Sequence, residues 1–574
     1  MVITIFRYDS GMLETRYEKV GSWNIAIGAF AVTVIVWAYF TNDPVNTPKL
    51  TVLGGTAFIS LGLLLTQLKL KPNRFLDIRI LCVSIFFIFW AFASIVLSST
   101  KFIDGFFGTW GRNTGFLAYF CFALLLLSTS TIRNILSIKR VLTSLYFAGV
   151  ANAAYFLLSL IGVQLIPWNN PYNRILGTFG NPNFIGAFMG FFAVLLISRL
   201  LSSEFNVKSK MIDLVLLCVS VYEIKLSLAS QGVVILFGGS ALLGFLYIRN
   251  HNYKILLWFY TSVVSLIAGF ALAGALNNGP LASFVYKPSL TFRGQYWQSA
   301  WNAGIDHPMF GIGLDSLGFW YGRYRTPGSI VYPGPETTTN AAHNVYLDVL
   351  ASGGFPLFMA YIAMTLLVLV KALRILWQPS STGWIPTGLV TVWFCFQAQS
   401  LISINQIGIA IWGWILGGLI LGYPISGSTI DSSNVQILDK GKRKNKVVPS
   451  RIEQFSLMPG LIFGLIGMVI AWQPMRADMN WNKAIRPINP DLLQSQAKSW
   501  PLSYMRLLHA SSIYTANGRP DIGLELAKFA SKEFPDVWMV WDLMLKNPNI
   551  NQTDKELALT ELRRIDPLNP NYKK

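Results

Sequence analysis

The residue types most suited to chemistry cluster around one histidine. Only four histidines occur in 574 residues, and His343 stands in TTTNAAHNVYLDVLASGGF at 337–355, at the head of a short expected helix. His343, Tyr346, Leu347 and Leu350 follow the spacing of one helical face, while Asn344 and Asp348 share another. The Thr337–Asn340 run offers capping side chains upstream, and Gly353–Gly354 closes the helix before an apolar run. An imidazole with a pKa of about 6.5 can take and return a proton at neutral pH. Upstream, residues 291–325 set Arg293, Arg323 and Arg325 among tryptophans, tyrosines and phenylalanines. Rings cover sugar faces and a guanidinium grips phosphate oxygens in pairs, so the pattern suits a phosphate-bearing sugar. Trp297 and Trp301, one helical turn apart, fit equally an amphipathic belt on a bilayer surface.

Other chemistries lack their signatures. HExxH, DxDxDG, Walker A and GxGxxG patterns are missing. The remaining histidines, His251, His307 and His509, are scattered, so neither a metal nor a cofactor is expected. Cys82, Cys121, Cys218 and Cys395 fall singly inside apolar runs and read as small buried side chains rather than a disulfide framework.

The elements that must position these residues are membrane helices. Hydrophobic residues make up 53% of the chain and charged residues 13%, against about 25% charged in soluble globular proteins. Mean hydropathy is +0.46. The fold class expected is an all-α polytopic membrane protein with thirteen spans, near 22–40, 50–68, 79–98, 115–131, 141–163, 184–200, 211–228, 232–248, 255–275, 354–377, 384–402, 405–423 and 457–474. The first twenty residues are polar and charged, so no cleavable signal peptide is expected.

The net charge of +19 follows from topology. With the N-terminus (1–21) in the cytoplasm, the inside loops collect Lys69, Lys71, Arg74 and Arg79, then Arg133, Lys139 and Arg140, and then Arg199, Lys208 and Lys210. Arg249 with Lys254, Lys371 with Arg374, and GKRKNKVVPSR at 441–451 (within 424–456) complete that side. The outside loops hold few basic residues: Lys49, Lys101 with Arg112, and Arg174. Nucleic acid is therefore not an expected partner. The loop 276–353 and the tail 475–574 fall outside. In the tail Pro501, Pro535 and Pro570 recur at intervals of 34 and 35 residues, with Tyr514, Gly523, Ala530 and Ala558 at small or aromatic positions, resembling tetratricopeptide-like units.

A family resemblance adds to this. Arg293 through Trp297, DHPMFGIGLDSLG at 306–318 and AHNVYLDVLASGG at 342–354 resemble the shared domain of bacterial O-antigen ligases. O-antigen polymerases and bacterial protein O-oligosaccharyltransferases carry related domains. GRNTGFLAY at 111–119 and GTFGNPNFIGAFM at 177–189 resemble further blocks of the same superfamily. The resemblance implies a metal-independent membrane glycosyltransferase of the C type in the bacterial cytoplasmic membrane. Its donor would be an undecaprenyl-diphosphate-linked glycan, its acceptor a hydroxyl on a glycan, lipid or protein. By position Arg293 matches a diphosphate-binding arginine, His343 a base or phosphate partner, and Arg112 the arginine of an early external loop.

One departure is Gln231, in SQG where many relatives carry SRG. Lys225 is a candidate substitute, and a snorkelling lysine is the alternative. Asn344, Trp297 and Tyr346 complete the expected substrate-binding set. Asn181 and Asn183 fit either sugar contact or helix capping. A lipid-linked oligosaccharide flippase is the competing reading from another functional class, and a scaffold that has lost catalysis is a third.

Overall fold

A computed structural model describes residues 15–70, 76–167, 170–378, 383–425 and 457–572. The basic cluster at 441–451 and most of the N-terminal segment lie outside the described residues. Every regular element described is helical. In the membrane-like bundle these are α1 (Arg16–Val34), α2 (Asn46–Leu70), α3 (Ile78–Leu97), a short α4 (Phe102–Phe107), α5 (Phe116–Ser130), α6 (Ile135–Leu160), α7 (Pro182–Leu201), α8 (Val207–Ser227), α9 (Ser230–Asn250) and α10 (Lys254–Ala275). The large loop then folds into α11 (Ala282–Val285), α12 (Pro288–Asp306), α13 (Leu317–Tyr324) and α14 (Pro327–Val331). The bundle resumes with α15 (Val345–Leu376), α16 (Trp384–Ser400), α17 (Ile407–Gly422) and α18 (Met458–Ile485).

The helices begin where the sequence supplies caps. Asp77, Asn134, Asn181 and Asn206 each accept a backbone N–H of the following turn, and Pro182 and Pro288 stand in the first turns of α7 and α12. Among the described residues, eight helices are long and apolar enough to cross a membrane: α2, α3, α6, α7, α9, α10, α15 and α18. Each of the thirteen expected ranges overlaps a helix, but α1 begins and ends about six residues before the expected 22–40 and is not among the eight. In addition, α5 and α17 are short, α16 has 17 residues, and α8 carries Lys208, Lys210, Asp213, Glu223 and Lys225. Cys121 and Cys395 are buried as expected, whereas Cys82 and Cys218 face outward among the exposed apolar side chains of α3 and α8. An outward cysteine is tolerated there because a bundle's outer surface is itself apolar.

Small residues bring the last bundle helix beside the first hairpin. A Cβ on Gly54 would lie 2.5 Å from the Ala471 side chain, and one on Gly62 would lie 2.5 Å from the Pro459 carbonyl. Lys49, expected in an outside loop, instead lies in α2, where its buried ammonium donates to the Val32 and Thr33 carbonyls at 2.8 and 2.7 Å. It satisfies the last turn of α1, whose carbonyls have no intrahelical partner.

The sequence predicts a helix ending at Gly353–Gly354, and the chain does break there. Gly354 has φ +69 and ψ −171, inside what is otherwise the continuous α15. A Cβ at Gly354 would sit 2.3 Å from the Pro308 carbonyl, and one at Gly311, whose φ is +62, would sit 2.4 Å from the Ala351 carbonyl. Through that gap the two motif segments interlock. Ile312 N–H donates to Ala351 at 2.8 Å, Gly313 N–H to Ser352 at 3.1 Å, and Phe355 N–H to Pro308 at 2.8 Å. Trp90 and Ser94 of α3 close the joint by donating to the Met309 and Ser352 carbonyls at 2.9 and 2.7 Å. The glycines of DHPMFGIG and ASGGF thus serve the backbone that holds the first turns of α15.

The tail forms α19 (Pro490–Ala497) and two adjacent helix pairs, α20 (Tyr504–Ala516) with α21 (Pro520–Glu533) and α22 (Trp538–Leu545) with α23 (Gln552–Ile565). Gly523 permits the first pair to close, since a Cβ there would meet Thr515 Oγ1 at 2.2 Å. The tail shares one apolar cluster with the large loop: Ala300, Phe319, Trp320 and Ala342 pack with Trp481, Tyr504, Leu526 and Phe534.

Candidate functional site

At the end of the bundle that carries the large loop, a cavity of about 800 Å³ opens. Its walls come from the α1–α2 connection (Asn42, Asp43), the loop before α5 (Trp110, Arg112), and the α6–α7 connection (Tyr172, Asn181). Gln231, Asn340 with His343, Asn405 with Gln406, and Arg486 complete it. Carboxamide side chains dominate the polar lining, and such groups donate to and accept from hydroxyls without adding charge.

His343 is where the sequence reading needs refinement. It does not ride on the helical face with Tyr346. Asn344 is the N-cap of α15, its side chain accepting from Tyr346 and Leu347 N–H at 3.0 and 3.2 Å, so His343 precedes the helix. Its backbone takes φ +54, a left-handed conformation that non-glycine residues seldom adopt. Ala342 N–H is tied to Asp348 Oδ1 at 2.7 Å, which holds the turn. The outcome is divergence: His343 lines the cavity, while Tyr346 reaches into the bundle and donates to Gln397 Oε1 at 2.6 Å.

The electrostatics around His343 favour the neutral ring. Burial, then the positive charges of Arg293 and Arg112, push its pKa down to about 4. Arg293 projects from α12 next to Tyr296, whose ring lies 5.9 Å from the imidazole. Among the described residues no hydrogen bond or ion pair of Arg293 is found, and burial lowers its own pKa against the opposing coulombic effect of Tyr296. It is a half-buried cation near a neutral imidazole, outside the cavity's immediate lining.

Arg112 is differently employed. Its guanidinium pairs with Asp315 at 2.9 Å, with the Asp315 side chain fully buried, and donates to the Asn340 carbonyl. Asp315 in turn accepts from Thr109 N–H at 2.8 Å and Thr114 N–H at 3.3 Å. Arg112 therefore ties the loop before α5, the GLDS segment and the approach to His343 into one unit.

The other expected residues divide. Asn181 and Asn183 line the cavity, and Asn181 also caps α7, accepting from Asn183 N–H at 2.9 Å. Gln231 lines it too, its amide oxygen buried with no hydrogen-bond partner among the described residues. Lys225 is exposed at the end of α8 and does not line the cavity. Trp297 packs against the apolar cluster shared with the tail. Arg323 and Arg325, which suited phosphate by type, are used against the tail: Arg323 pairs with Asp536, and Arg325, 1% exposed, pairs with Asp566 at 2.7 Å. Asn405, Gln406 and Arg486 were missed because they stand alone in sequence, joined to the site only by the fold.

With this geometry in view, residues 214–362 match the O-antigen ligase family model. The matched stretch contains Gln231, Arg293 and His343, while Arg112, the α6–α7 connection and the tail lie beyond it. No curated protein matches the chain.

Proposed function

We propose, from the O-antigen ligase domain that the chain carries at residues 214–362, that it transfers a glycan from an undecaprenyl-diphosphate carrier to an acceptor hydroxyl. Transfer takes place on the outer side of a bacterial cytoplasmic membrane, crossed thirteen times with the N-terminus inside and the C-terminus outside. The observation that carries this reading is His343 itself: an imidazole on a left-handed backbone, kept neutral by burial, facing an amide-lined cavity with Arg293, which has no hydrogen bond or ion pair among the described residues, close by.

The acceptor O–H attacks the anomeric carbon, its proton passes to the imidazole, and the sugar–phosphate C–O bond breaks with its electron pair leaving on the lipid diphosphate. Arg293 offsets the charge that develops on the leaving group, a preorganised cation in a poorly hydrated place. Attack from the face opposite the diphosphate inverts the anomeric centre. Donor binding also tunes the base. An anionic diphosphate beside Arg293 cancels part of the field that depresses His343, so the imidazole becomes more basic once the donor is in place. A positioned base of this kind contributes about 10²–10⁴-fold.

Carboxamides at Asn181, Asn183, Asn340 and Asn405 suit the hydroxyls of the moving sugar. Ligase, polymerase and protein O-oligosaccharyltransferase share this chemistry and differ in the acceptor. The test is to supply the purified protein with labelled undecaprenyl-diphosphate-linked glycan and a host membrane extract in EDTA. Label on a new acceptor, with inverted linkage by NMR, is the expected outcome. Glycan-lipid crossing liposomes with no transfer would instead establish the flippase reading.

A further inference from the structure

The acidic and basic side chains lining the cavity are Asp43, Arg112, His343 and Arg486. Arg112 is committed to Asp315 and Asn340. Asp43 engages one carboxylate oxygen at the start of α2, where Oδ1 accepts from Val45 N–H at 3.1 Å and Asn46 N–H at 3.0 Å, while Oδ2 is buried with no hydrogen-bond partner among the described residues. His343 is held neutral. Arg486 is exposed, and among the described residues no hydrogen bond or ion pair of its side chain is found.

Its place is fixed by the helix that carries it. Arg486 is the C-cap of α18, its N–H donating to the Asn482 carbonyl at 3.0 Å. About two turns earlier on the same helix, Asp478 clamps α18 to the cavity wall. It accepts from Trp110 Nε1 at 2.9 Å and from the N–H groups of Asn42 and Asp43 at 2.7 and 2.8 Å. Asn42, Asp43 and Trp110 all line the cavity, so the helix end that presents Arg486 is anchored to the wall itself.

We propose that Arg486, supplied from outside the family domain, binds a phosphate group of the substrate that enters this cavity. This rests on the transfer reading above, and it makes the segment following α18 part of the substrate site rather than an appendage. A guanidinium suits the task because it stays charged at every physiological pH and meets phosphate oxygens in pairs.

The test uses the full-length protein in detergent, with intrinsic tryptophan fluorescence reporting binding of undecaprenyl diphosphate and inorganic pyrophosphate as the free source of the same chemistry. Arg486→Ala is expected to weaken undecaprenyl diphosphate binding about tenfold or more, the loss of a charge-assisted hydrogen bond. Arg486→Lys recovers part of it, and in steady-state transfer the KM for donor rises more than kcat falls. Lys483→Ala, an exposed change on the same helix and off the cavity lining, is the control and binds as wild type. Equal binding and equal KM in wild type and Arg486→Ala overturn this inference and leave the transfer reading standing. Pyrophosphate binding that depends on Arg486, with no binding of the lipid diphosphate, keeps the phosphate site and removes the donor. Wild type that binds neither overturns both.

Discussion

At the scale of single residues, Arg112 and His343 come from separate segments and meet at one site, Arg112 paired with buried Asp315 and His343 lining the cavity. Removing Arg112 leaves Asp315 buried without its cation, a loss of about 3–5 kcal/mol for a broken buried pair. Arg112→Ala is therefore expected to lower thermal stability sharply, and Arg112→Ala with Asp315→Asn to recover most of it. If Arg112 serves the architecture, the double variant regains transfer along with stability; stability without transfer would assign it to the donor. The pH profile reads His343 directly. As a base it must be unprotonated, so kcat/KM falls only as pH drops through about 4, the free enzyme's value. The corresponding limb of kcat lies at higher pH, because bound diphosphate favours the imidazolium. Coincident limbs would mean that no anion sits near the ring.

At the scale of elements, the break at Gly354 sets where α15 begins its first turns, and hence where Asn344 caps it and His343 turns away. Any side chain at Gly354 meets both a left-handed backbone and the Pro308 carbonyl. Gly354→Ala is expected to cost at least 1–3 kcal/mol and to reduce transfer by displacing His343. Gly238→Ala, with open space around it, changes little; thermal shift and transfer rates on both variants check the contrast.

Much of this element was legible beforehand. The paired glycines marked the stop, and helical spacing marked the helix. The misplaced detail was whether His343 belongs to the helix or precedes it. Spacing alone cannot tell a first-turn residue from one before the cap, because Asn344 competes for the cap and wins by accepting two N–H groups. The cavity's outlying residues were illegible for a different reason. Asn405 and Arg486 follow no motif, and only tertiary contacts such as Asn405 with Tyr119 at 3.1 Å bring them in.

At the scale of the whole molecule, the tail is locked onto the large loop by an apolar cluster and by Arg323 and Arg325, which pair with Asp536 and Asp566, and onto the α3–α4 connection by Lys101, which pairs with Glu533. Composition suggested sugar and phosphate for the loop's arginines, since nothing in a one-dimensional reading reveals that carboxylates more than two hundred residues later stand opposite them. Asp566→Asn leaves Arg325 buried and unpaired, and is expected to cost several kcal/mol, visible as earlier thermal unfolding and faster proteolysis of residues 475–574. An unchanged melting profile would show that the Arg325–Asp566 pair does not hold the tail.

The central claim is that His343 and Arg293 transfer the glycan. Its most direct test is turnover by the purified protein on undecaprenyl-diphosphate-linked glycan in EDTA, comparing wild type with folded His343→Ala and Arg293→Ala. Wild type is expected to transfer glycan and each variant to lose at least a hundredfold, the lower end of a general base's contribution of about 10²–10⁴-fold. Near-normal turnover in His343→Ala would contradict it.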